Sequence, residues 1–515
     1  MLFGTDGVRG SASYFFENRL AYNLGRALAS RNGRRLKIVI ARDSRLSGRD
    51  IEREVAGGLS EYPTEIVALG IMPTPAVPCV MRRIGADYGV MVSASHNPPD
   101  YNGIKIFGKS GEKLTSAEET DIENAVKAFN EKTNGEIGKI GERMLKETRE
   151  KRDGIDRVNE IIPDGGIEEN FEKTPDETRV KSVGGIRQKD GKTGAGSEYI
   201  NKKTDGDGRV MRLKDAEEIY AENVLRRSGA VLDGLNIRLD CCYGACAACA
   251  PKIFAAAGAN VRALADEFDG GRINVATGST NIDYLRARMS ADDFIGCAFD
   301  GDGDRVLAVA PDGFVIDGDR ILYVLTLYLQ KLGALTNNTV VGTLMTNYGL
   351  EAALNARGIT LLRTDVGDKY VIERMKKDRC AIGGETSGHI ILAEEGAGGT
   401  GDGILTALTL AKAILKSGTK PSEIAGLYSA FPQKTVDIKA SPAVKAAVAA
   451  DVKLSALVSL CGDCLKGEGR ALVRPSGTEN KIRITVEAKT YETVDETLSL
   501  LVPEYEKFAA SIDGG

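Results

Sequence analysis

The sequence predicts an α/β protein built from three or four domains. A chain of 515 residues is too long to fold around one hydrophobic core. Short apolar runs, typical of buried strands, alternate with segments whose apolar residues recur at helical spacing. Polar, glycine-rich loops follow several of the strands, where the largely parallel sheets of such proteins carry ligands.

Composition and charge exclude several classes of protein. The chain is 42% hydrophobic and 27% charged, which is typical of a soluble globular protein, and it has no apolar run long enough to span a bilayer. Its N-terminus lacks the basic and apolar regions of a secretory signal. A net charge of −5 argues against a nucleic-acid scaffold. We therefore expect a cytoplasmic protein with neither a nucleic-acid nor a membrane partner.

The first 140 residues predict alternating helices and strands. One helix carries Leu20, Leu24 and Leu28 on one face, and another turns Ile51, Val55 and Leu59 inward; strands cover 37–41, 65–69 and the apolar run that ends at Val92. Arg42 and Arg45 lie in a polar turn between two of these elements. They are either a phosphate patch or solvated side chains, and the second interpretation is favoured.

Residues 141–208 differ from the rest of the chain. Of these 68 residues 30 are charged, glycines are frequent and periodicity is weak, which predicts an inserted, poorly packed or mobile segment. Gly185–Thr193 resembles a nucleotide-binding P-loop, but its glycine spacing is one residue too long. Thr204–Gly208 offers two acidic side chains and no third ligand. We interpret both motifs as loop.

Regular structure is predicted again beyond this segment. A helix at 213–228, a strand at 235–240 and a helix from Ala250 begin a second α/β unit, and a helix at 320–332, a strand at 339–345 and a helix at 347–356 begin a third. The last part, from Phe431, combines a strand at 435–440, two further strands and a C-terminal helix through Val494, Leu498 and Leu501.

The first candidate site is the loop after Val92, Ser93-Ala94-Ser95-His96-Asn97-Pro98-Pro99-Asp100-Tyr101-Asn102-Gly103-Ile104-Lys105. Its prolines disfavour a helix and Asn102-Gly103 favours a turn. A serine beside an imidazole and a lysine suits the transfer of a charged group. A polar strand-to-helix turn would explain the turn residues but not this combination.

The second candidate is Asp300-Gly301-Asp302-Gly303-Asp304-Arg305, directly after an apolar strand. Three carboxylates this close repel one another unless a cation holds them. An EF-hand loop is excluded because it needs glycine in place of Arg305 and glutamate in place of Pro311. A hard cation with few protein ligands and an open position for a phosphate oxygen indicates Mg²⁺, with Arg305 directed at the same phosphate. A solvated acidic turn is the alternative.

Two further loops carry polar groups suited to a sugar phosphate. Glu385, Ser387 and His389 lie in Gly383-Gly384-Glu385-Thr386-Ser387-Gly388-His389, and His96 and His389 are the only histidines of the chain. Arg474, Ser476, Gly477 and Thr478 lie in Arg474-Pro475-Ser476-Gly477-Thr478-Glu479, which predicts a phosphate nest, reinforced if Lys481 or Arg483 turns inward. A bare β-turn is the alternative for the second loop.

The nine cysteines include two Cys-x-x-Cys pairs, Cys246/Cys249 and Cys461/Cys464. Four thiolates would complete a tetrahedral zinc site. The first pair lies in a stretch of small residues that leads into a helix, where cysteine behaves as a small hydrophobic residue. We favour that second interpretation.

These four loops, in this order, resemble those of the α-D-phosphohexomutase superfamily, and the match covers nearly the whole chain except the insertion. The resemblance implies three related α/β domains with mixed sheets and a smaller C-terminal α+β domain around a central cleft. The expected bounds are 1–220 (with the insertion at about 141–208), 221–316, 317–427 and 428–515. It also implies a phosphosugar substrate and either a monomer or a homodimer.

The resemblance assigns roles to matching positions. Ser95 would carry a phosphoryl group and join Asp300, Asp302 and Asp304 around Mg²⁺. Glu385, Ser387 and His389 would bind the sugar, and Arg474, Ser476, Gly477 and Thr478 the phosphate that does not react. Arg9, Lys105 and Arg305 would lie at the reacting phosphoryl group, and Lys105, Arg9 or His96 would move the proton. A hexose 1,6-bisphosphate would be the intermediate, and a hinge would let the last domain grip either phosphate.

Gly4-Thr5-Asp6-Gly7-Val8-Arg9-Gly10, Phe431-Pro432-Gln433 and the Arg474–Glu479 loop are most similar to the bacterial branch that interconverts glucosamine 6- and 1-phosphates for amino-sugar nucleotide and cell-wall precursor synthesis. Pro99-Asp100-Tyr101-Asn102, Thr386 and the insertion depart from that branch, so the glucose and mannose branches stay open. A phosphatase with Asp300 or Asp302 as nucleophile is a different class of alternative. A non-catalytic sugar-phosphate binding protein is a third.

Overall fold

A computed structural model of the protein describes residues 2–4, 6–31, 33–131, 199–203, 209–393, 399–465, 467–476 and 480–513. The chain divides into two compact units, Met1–Val126 with Tyr199–Gly515, and Lys127–Glu198. Apart from the end of helix α4, everything described below belongs to the first unit. The P-loop-like motif at 185–193 and the acidic motif at 204–208 lie outside the described residues.

The first sheet has seven strands in the order β1-β5-β4-β2-β3-β7-β6. The strands are β1 (Val8–Ser11), β2 (Leu36–Arg42), β3 (Thr64–Ile71), β4 (Tyr88–Val92), β5 (Tyr101–Phe107), β6 (Tyr199–Lys203) and β7 (Arg209–Leu213). The pairs β2–β3, β2–β4 and β3–β7 are parallel, and β1–β5, β4–β5 and β6–β7 are antiparallel. The sheet is therefore mixed rather than largely parallel.

Five helices accompany this sheet: α1 (Leu20–Ser30), α2 (Gly48–Leu59), α3 (Ala76–Ile84), α4 (described over residues 116–131) and α5 (Ala216–Ser228). The predicted inward faces of α1 and α2 are confirmed, because Leu20, Leu24 and Leu28, and Ile51, Val55 and Leu59, are all buried. The prediction of a helix from residue 213 is wrong at its start, since strand β7 ends there. Within the predicted loose segment, β6 forms an edge strand of the sheet.

The second and third sheets repeat the same plan on a smaller scale. The second has the order β12-β11-β10-β8-β9 and the third the order β14-β13-β15-β16. Their strands are β8 (Asn236–Asp240), β9 (Asn260–Leu264), β10 (Ile295–Phe299), β11 (Val306–Val309), β12 (Val315–Ile316), β13 (Thr339–Thr343), β14 (Thr360–Thr364), β15 (Ile382–Gly384) and β16 (Ile390–Leu392). Their helices are α6 (Ala250–Ala256), α7 (Asp283–Arg286), α8 (Gly318–Lys331), α9 (Tyr348–Asn355), α10 (Asp368–Asp378) and α11 (Gly403–Ser417).

The C-terminal part has a three-stranded antiparallel sheet, β17-β19-β18. Its elements are β17 (Gln433–Lys439), α12 (Pro442–Ala450), α13 (Val452–Cys464), β18 (Gly469–Pro475), β19 (Lys481–Ala488) and α14 (Tyr491–Asp513). Short 3₁₀ turns cover Ala12–Phe15, Glu17–Arg19, Ala245–Ala248, Ser279–Asn281, Thr336–Asn338 and Pro421–Leu427. In the described residues, no helix combines the length and the apolar character that crossing a membrane requires.

Among the described residues, two large clusters of buried hydrophobic side chains stabilise the fold. A continuous cluster of buried side chains runs through the first three sheets and includes Val67, Leu239 and Leu350. The C-terminal part has its own cluster, with Ile482 and Leu501 at its centre. The C-terminal part therefore packs as a separate body on the larger one.

The three larger sheets place their candidate loops at equivalent points. In each sheet, a strand with a parallel partner is followed by a loop and an antiparallel strand that returns beside it: β4 and β5, β10 and β11, β15 and β16. The strands before these loops are buried, which explains their unbroken apolar sequences. Three similar hairpins thus present the three candidate loops.

Candidate active site

The serine loop, residues 93–100, joins β4 to the antiparallel strand β5 rather than to a helix. Ser95 adopts a φ of +53°, a conformation that residues other than glycine rarely adopt. Its Oγ donates a hydrogen bond to Asp300 Oδ2 at 2.6 Å. The predicted serine and the predicted acidic loop, 205 residues apart in sequence, therefore meet directly.

His96 lies beside the serine hydroxyl. Its Nδ1 is 3.5 Å from Ser95 Oγ. Burial, and then the nearby charges of Arg305 and Arg9, lower the pKa of His96 to about 4. The imidazole is therefore uncharged at neutral pH and can hold or accept a proton next to Ser95.

Arg45 holds the serine loop from behind and is neither a phosphate ligand nor solvated. Its guanidinium is fully buried and forms an ion pair with Asp43 at 2.9 Å. It donates hydrogen bonds to the carbonyl oxygens of Ser95 at 2.9 Å and Asn97 at 2.8 Å, and further bonds to those of Pro98 and Tyr101. Both sequence interpretations of Arg45 are wrong, because neither considered a buried backbone contact.

The aspartate loop, Asp300–Arg305, brings its three carboxylates together. Each of Asp300, Asp302 and Asp304 offers one oxygen, and these oxygens lie within 4.8 Å of one another. Thr74 donates its hydroxyl to Asp302 Oδ2 at 2.5 Å and its backbone N–H to the Asp302 carbonyl at 2.8 Å. Burial, and then the charges of Asp304 and Asp302, raise the pKa of Asp300 well above its ordinary value.

The donor set of this loop fits a hard divalent cation. Asp302 Oδ1 and Asp304 Oδ1 are buried and have no hydrogen-bond partner. Unpaired buried carboxylate oxygens are costly, and Mg²⁺ and Ca²⁺ bind such oxygens. These three residues could hold a metal ion, with Ser95 Oγ beside them.

Lys105, on β5, carries the positive charge closest to the carboxylates. Its Nζ lies 2.8 Å from Asp302 Oδ2, 2.8 Å from Asp304 Oδ2 and 3.2 Å from Asp6 Oδ2. Burial alone would lower the pKa of Lys105, but these three carboxylates raise it well above its ordinary value. The ammonium group therefore stays charged.

Three acidic and three basic side chains alternate around a closed ring. Its order is Asp6, Lys105, Asp304, His389, Asp368, Lys113 and back to Asp6. The ring joins residues near the first, second and third sheets, and Asp6 also pairs with Arg9. Burial would raise the pKa of Asp304, but Lys105 and then His389 hold it well below its usual range.

Asp6, Lys113 and Asp368 are functional candidates that the sequence analysis missed. Asp6 could have been noticed because it precedes Arg9 in the same glycine-rich turn. Lys113 and Asp368 carry no local signal, since the pair forms between residues 255 positions apart.

The two predicted arginines lie at the same place. The backbone N–H of Arg305 donates to Asp300 Oδ1 at 3.1 Å, and its Nε is 3.8 Å from Asp304 Oδ1. The Nε atoms of Arg305 and Arg9 are buried without a hydrogen-bond partner. Buried guanidinium donors of this kind suit a phosphate.

The sugar loop, residues 385–389, approaches the same site from the third sheet. His389 Nδ1 lies 3.4 Å from Asp304 Oδ1, and His389 Nε2 lies 3.6 Å from Asp368 Oδ2. Glu385 Oε1 accepts a hydrogen bond from the Gly367 N–H at 3.1 Å, and Ser387 is exposed. Thus His389 contacts the aspartate loop, while Glu385 and Ser387 lie next to His389 on the sugar loop.

The fourth predicted loop begins at the end of β18. Arg474 is half-buried opposite Arg483, and burial, then Arg483, lower the pKa of Arg474. The Ser476 N–H donates to the Lys481 carbonyl at 2.8 Å. Lys481 and Arg483 pair with Asp437. Gly477 and Thr478 lie outside the described residues.

The C-terminal sheet is attached to the third sheet through the loop that follows β13. Glu487 Oε1 accepts from the Tyr348 N–H at 2.7 Å, and Arg470 donates to the Thr346 carbonyl at 2.6 Å. The Asn347 side chain bonds both the N–H and the carbonyl of Phe431, where the chain passes into the C-terminal part. We call Thr346–Tyr348 with Phe431 the joint.

The joint also contacts the sugar loop through one buried carboxylate. Asp319 Oδ2 accepts from the Asn347 N–H at 2.7 Å, and Asp319 Oδ1 accepts from the Thr386 hydroxyl at 2.9 Å. Burial, and then Asp317, raise the pKa of Asp319 to about 7.

The cysteine pairs do not form a metal site among the described residues. Cys246 and Cys249 are buried in the cluster that runs through the first three sheets, and Cys461 and Cys464 lie on α13. In the described part of the chain, the group of possible ligands within reach of one ion is the aspartate triad. Burial raises the pKa of the Cys246 and Cys249 thiols well above the ordinary value, as expected of small core residues.

Comparison with known proteins identifies the class. Models of phosphoglucomutase/phosphomannomutase α/β/α domain I, α/β/α domain III and C-terminal domain match residues 1–133, 317–431 and 427–501. The chain belongs to the phosphohexomutase family, as the four loops indicated, and it is a phosphohexomutase isomerase.

Relatives of this chain with established names indicate which branch of the family it resembles. The chain is 38% identical over 503 residues to phosphoglucosamine mutase of Thermoanaerobacter sp. (strain X514), covering 96% of each chain. It is 36% identical over 493 residues to phosphoglucosamine mutase of Mycobacterium tuberculosis (strain ATCC 25177 / H37Ra), covering 95% of each chain.

Solved structures share the fold. A phosphoglucomutase/phosphomannomutase family protein from Burkholderia thailandensis matches with a TM-score of 0.69 and 19% identity, covering 100% of this chain and 98% of that one. Aspergillus fumigatus N-acetylphosphoglucosamine mutase, solved with GlcNAc-6P and magnesium, matches with a TM-score of 0.61 and 16% identity, covering 99% and 96%. The predicted α/β fold with mixed sheets and a C-terminal domain is confirmed.

Proposed function

We propose that this enzyme interconverts glucosamine 6-phosphate and glucosamine 1-phosphate through a phosphorylated Ser95. The observation that carries the proposal is the 2.6 Å hydrogen bond from Ser95 Oγ to Asp300, because it brings this hydroxyl to the aspartate triad. The choice of an amino sugar is supported by the relatives named phosphoglucosamine mutase.

Asp300, Asp302, Asp304 and Ser95 Oγ would hold one Mg²⁺. Asp302 Oδ1 and Asp304 Oδ1, which are buried without a hydrogen-bond partner, support this assignment. When bound, the ion would neutralise charge on the phosphoryl group that is transferred. Lys105 pairs with two of the same carboxylates and limits their mutual repulsion when no metal is present.

The reaction consists of two phosphoryl transfers. In the first, the bond between Ser95 Oγ and phosphorus breaks while a bond forms to the free hydroxyl oxygen of the monophosphate, giving a hexosamine 1,6-bisphosphate. The bisphosphate then reorients in the site, so that its other phosphoryl group faces Ser95. That group is transferred to Ser95 Oγ, and the bond between phosphorus and the sugar oxygen breaks. Arg9 and Arg305, whose buried Nε atoms have no hydrogen-bond partner, would bind the transferring group.

Proton handling is assigned to His96. Of the three candidates, Lys105 stays charged and Arg9 is a guanidinium, whereas His96 is neutral and lies 3.5 Å from Ser95 Oγ. In the first transfer His96 would therefore accept the proton that the attacking sugar hydroxyl loses and pass it to Ser95 Oγ. In the second transfer it would accept the proton of the Ser95 hydroxyl and pass it to the sugar oxygen that is released.

Substrate recognition is divided between two loops. Glu385, Ser387 and His389 would bind the sugar hydroxyls, and Arg474, Ser476, Gly477 and Thr478 the phosphate that does not react. The joint at Thr346–Tyr348 and Phe431 gives the C-terminal part a defined attachment, which supports a hinge there. The domain bounds 1–220, 221–316, 317–427 and 428–515 stay a proposal, supported by one sheet in each range.

The test is a comparison of Ser95→Ala with the exposed-serine control Ser110→Ala, using glucosamine, glucose and mannose 6-phosphates with Mg²⁺ and a trace of bisphosphate. We expect Ser95→Ala to abolish turnover, Ser110→Ala to retain it and glucosamine 6-phosphate to be preferred. Undiminished activity of Ser95→Ala would refute the phosphoserine. Preference for glucose or mannose would move the chain to another branch, and release of phosphate to water would identify an aspartyl phosphatase.

A further inference from the structure

The backbone of Ser95 is held by side chains on both sides. Its N–H donates to Ser93 Oγ at 2.8 Å. Its carbonyl oxygen accepts from Arg45 Nη2 at 2.9 Å and from Asn274 Nδ2 at 2.8 Å. Because the φ of +53° is unfavourable for serine, these contacts must maintain it.

Asn274 reaches the serine loop from the neighbouring domain. It lies between β9 and β10, only 8% exposed, with its own φ at +61°. Its Nδ2 donates to the Ser95 carbonyl and to the Asn97 carbonyl, the latter at 3.1 Å. This one amide thus contacts the serine loop of the first sheet from the second.

Cys242 fixes which way the Asn274 amide points. The Cys242 thiol donates to Asn274 Oδ1 at 3.0 Å. Burial raises the pKa of the Cys242 thiol far above its ordinary value, so the thiol keeps its proton. With a donor at Oδ1 and two carbonyl oxygens at Nδ2, only one orientation of the amide satisfies all three contacts.

The aspartate loop packs against the same carbonyl group. A Cβ on Gly301 would lie 2.7 Å from the Ser95 carbonyl oxygen and 2.9 Å from Asn274 Nδ2. Gly301, between Asp300 and Asp302, therefore lies close to the Ser95 carbonyl and the Asn274 amide, and the position of Ser95 Oγ at Asp300 depends on this packing.

We propose that Asn274, oriented by Cys242, is a positioning residue that places Ser95 for phosphoryl transfer. The inference rests on the proposed function, because it takes Ser95 as the phosphoryl carrier. Neither residue belongs to the four predicted loops, and neither would touch the substrate. Their effect would pass entirely through the backbone of Ser95.

Asn274→Asp tests the positioning role of Asn274 with almost no change in side-chain size. It replaces the Nδ2 donor by an oxygen acceptor, which then faces two carbonyl oxygens. The matched control is Asn355→Asp, an exposed asparagine at the end of α9. We expect Asn274→Asp to lower kcat about 10- to 100-fold with KM for glucosamine 6-phosphate within about twofold. Asn355→Asp should keep both values. An unchanged kcat in Asn274→Asp would overturn the inference.

A second pair of variants leaves Asn274 in place. Cys242→Ala removes the donor that orients the amide, whereas Cys242→Ser keeps a hydroxyl donor. We expect kcat to fall in the alanine variant and to recover in the serine variant. Equal kcat values for the two would overturn the orienting role, and they decide the question if Asn274→Asp does not fold.

The rate at which Ser95 accepts phosphate from glucose 1,6-bisphosphate, followed by intact mass, separates the two proposals. If the wild-type chain is phosphorylated on Ser95 and Asn274→Asp reacts equally fast, the positioning role is wrong and the proposed function stands. If the wild-type chain takes no phosphate on Ser95, the proposed function itself fails. We expect the wild type to react and Asn274→Asp to react at least about tenfold more slowly.

Discussion

Replacing Lys105 by methionine isolates the charge that holds the carboxylates in the absence of metal. Methionine keeps most of the side chain's volume and removes its ammonium group, which lies 2.8 Å from both Asp302 and Asp304 and 3.2 Å from Asp6. Lys105 is 1% exposed, so water cannot replace the lost charge. Removing one partner of a buried ion pair costs about 3–5 kcal/mol. We expect the free energy of unfolding to fall by about that amount in chelator.

Adding Mg²⁺ should restore part of the free energy of unfolding that Lys105→Met loses. In the wild-type protein the Lys105 ammonium group pairs with the same carboxylates that would hold a cation and repels that cation, so the variant should bind Mg²⁺ more tightly. A ligand at 100 times its Kd stabilises the folded state by about 2.7 kcal/mol. The rise in unfolding midpoint on adding Mg²⁺ should therefore be larger in Lys105→Met than in the wild type.

Differential scanning calorimetry in EDTA and in Mg²⁺ measures both effects in a chain that has no tryptophan to report on unfolding. The matched control is Lys109→Met, an exposed lysine just beyond the same strand, which should leave both midpoints unchanged. A wild-type midpoint for Lys105→Met in EDTA, or an equal Mg²⁺ effect in both proteins, would refute the reasoning.

Three other predictions address the loops and the joint. Gly301→Ala should lower kcat at least about tenfold, because its Cβ would lie 2.7 Å from the Ser95 carbonyl oxygen. The control Gly426→Ala, whose Cβ would meet nothing within 4 Å, should keep the wild-type kcat. Equal kcat values for the two variants would contradict the prediction. The pKa of Asp319 is raised to about 7 in the folded protein, whereas the unfolded chain loses this proton above about pH 4. Between these pH values the folded state binds more protons than the unfolded state, so wild-type stability falls as pH rises. Asp319→Asn removes this titration and should gain up to about 2.7 kcal/mol on the wild type between pH 5 and 7, and parallel urea-unfolding profiles would count against it. Arg474→Lys keeps the charge but not the planar fork, so KM for glucosamine 6-phosphate should rise roughly tenfold, and an unchanged KM would argue against a phosphate contact.

Local sequence patterns predicted most elements, because each reports a local physical requirement. The apolar run before Ser93 and the one before Asp300 indicated buried strands, and the helical spacing of Leu20, Leu24 and Leu28 indicated a buried helix face. Pattern alone did not give strand direction. Strand β5 returns antiparallel beside β4, and a hydrophobic strand looks the same in either direction.

The parts of the site that escaped prediction are those made by distant pairs. Arg45 and Asn274 hold the Ser95 carbonyl from 50 and 179 residues away, and Lys113 meets Asp368 across 255 residues. The sequence of a polar turn does not reveal whether a charged residue in it is solvated or is buried against backbone carbonyls. The burial of Arg45 follows only from the packing of the serine loop over it.

In the proposed reaction one serine oxygen, Ser95 Oγ, carries the phosphoryl group between the two ends of the sugar. Peptide mapping after incubation with glucosamine 1,6-bisphosphate and Mg²⁺, before and after adding glucosamine 6-phosphate, tests it most directly. We expect a single phosphoryl group on Ser95 that the monophosphate removes. Phosphate on an aspartate of the triad, or an unmodified Ser95 in an enzyme that continues to turn over, would contradict it.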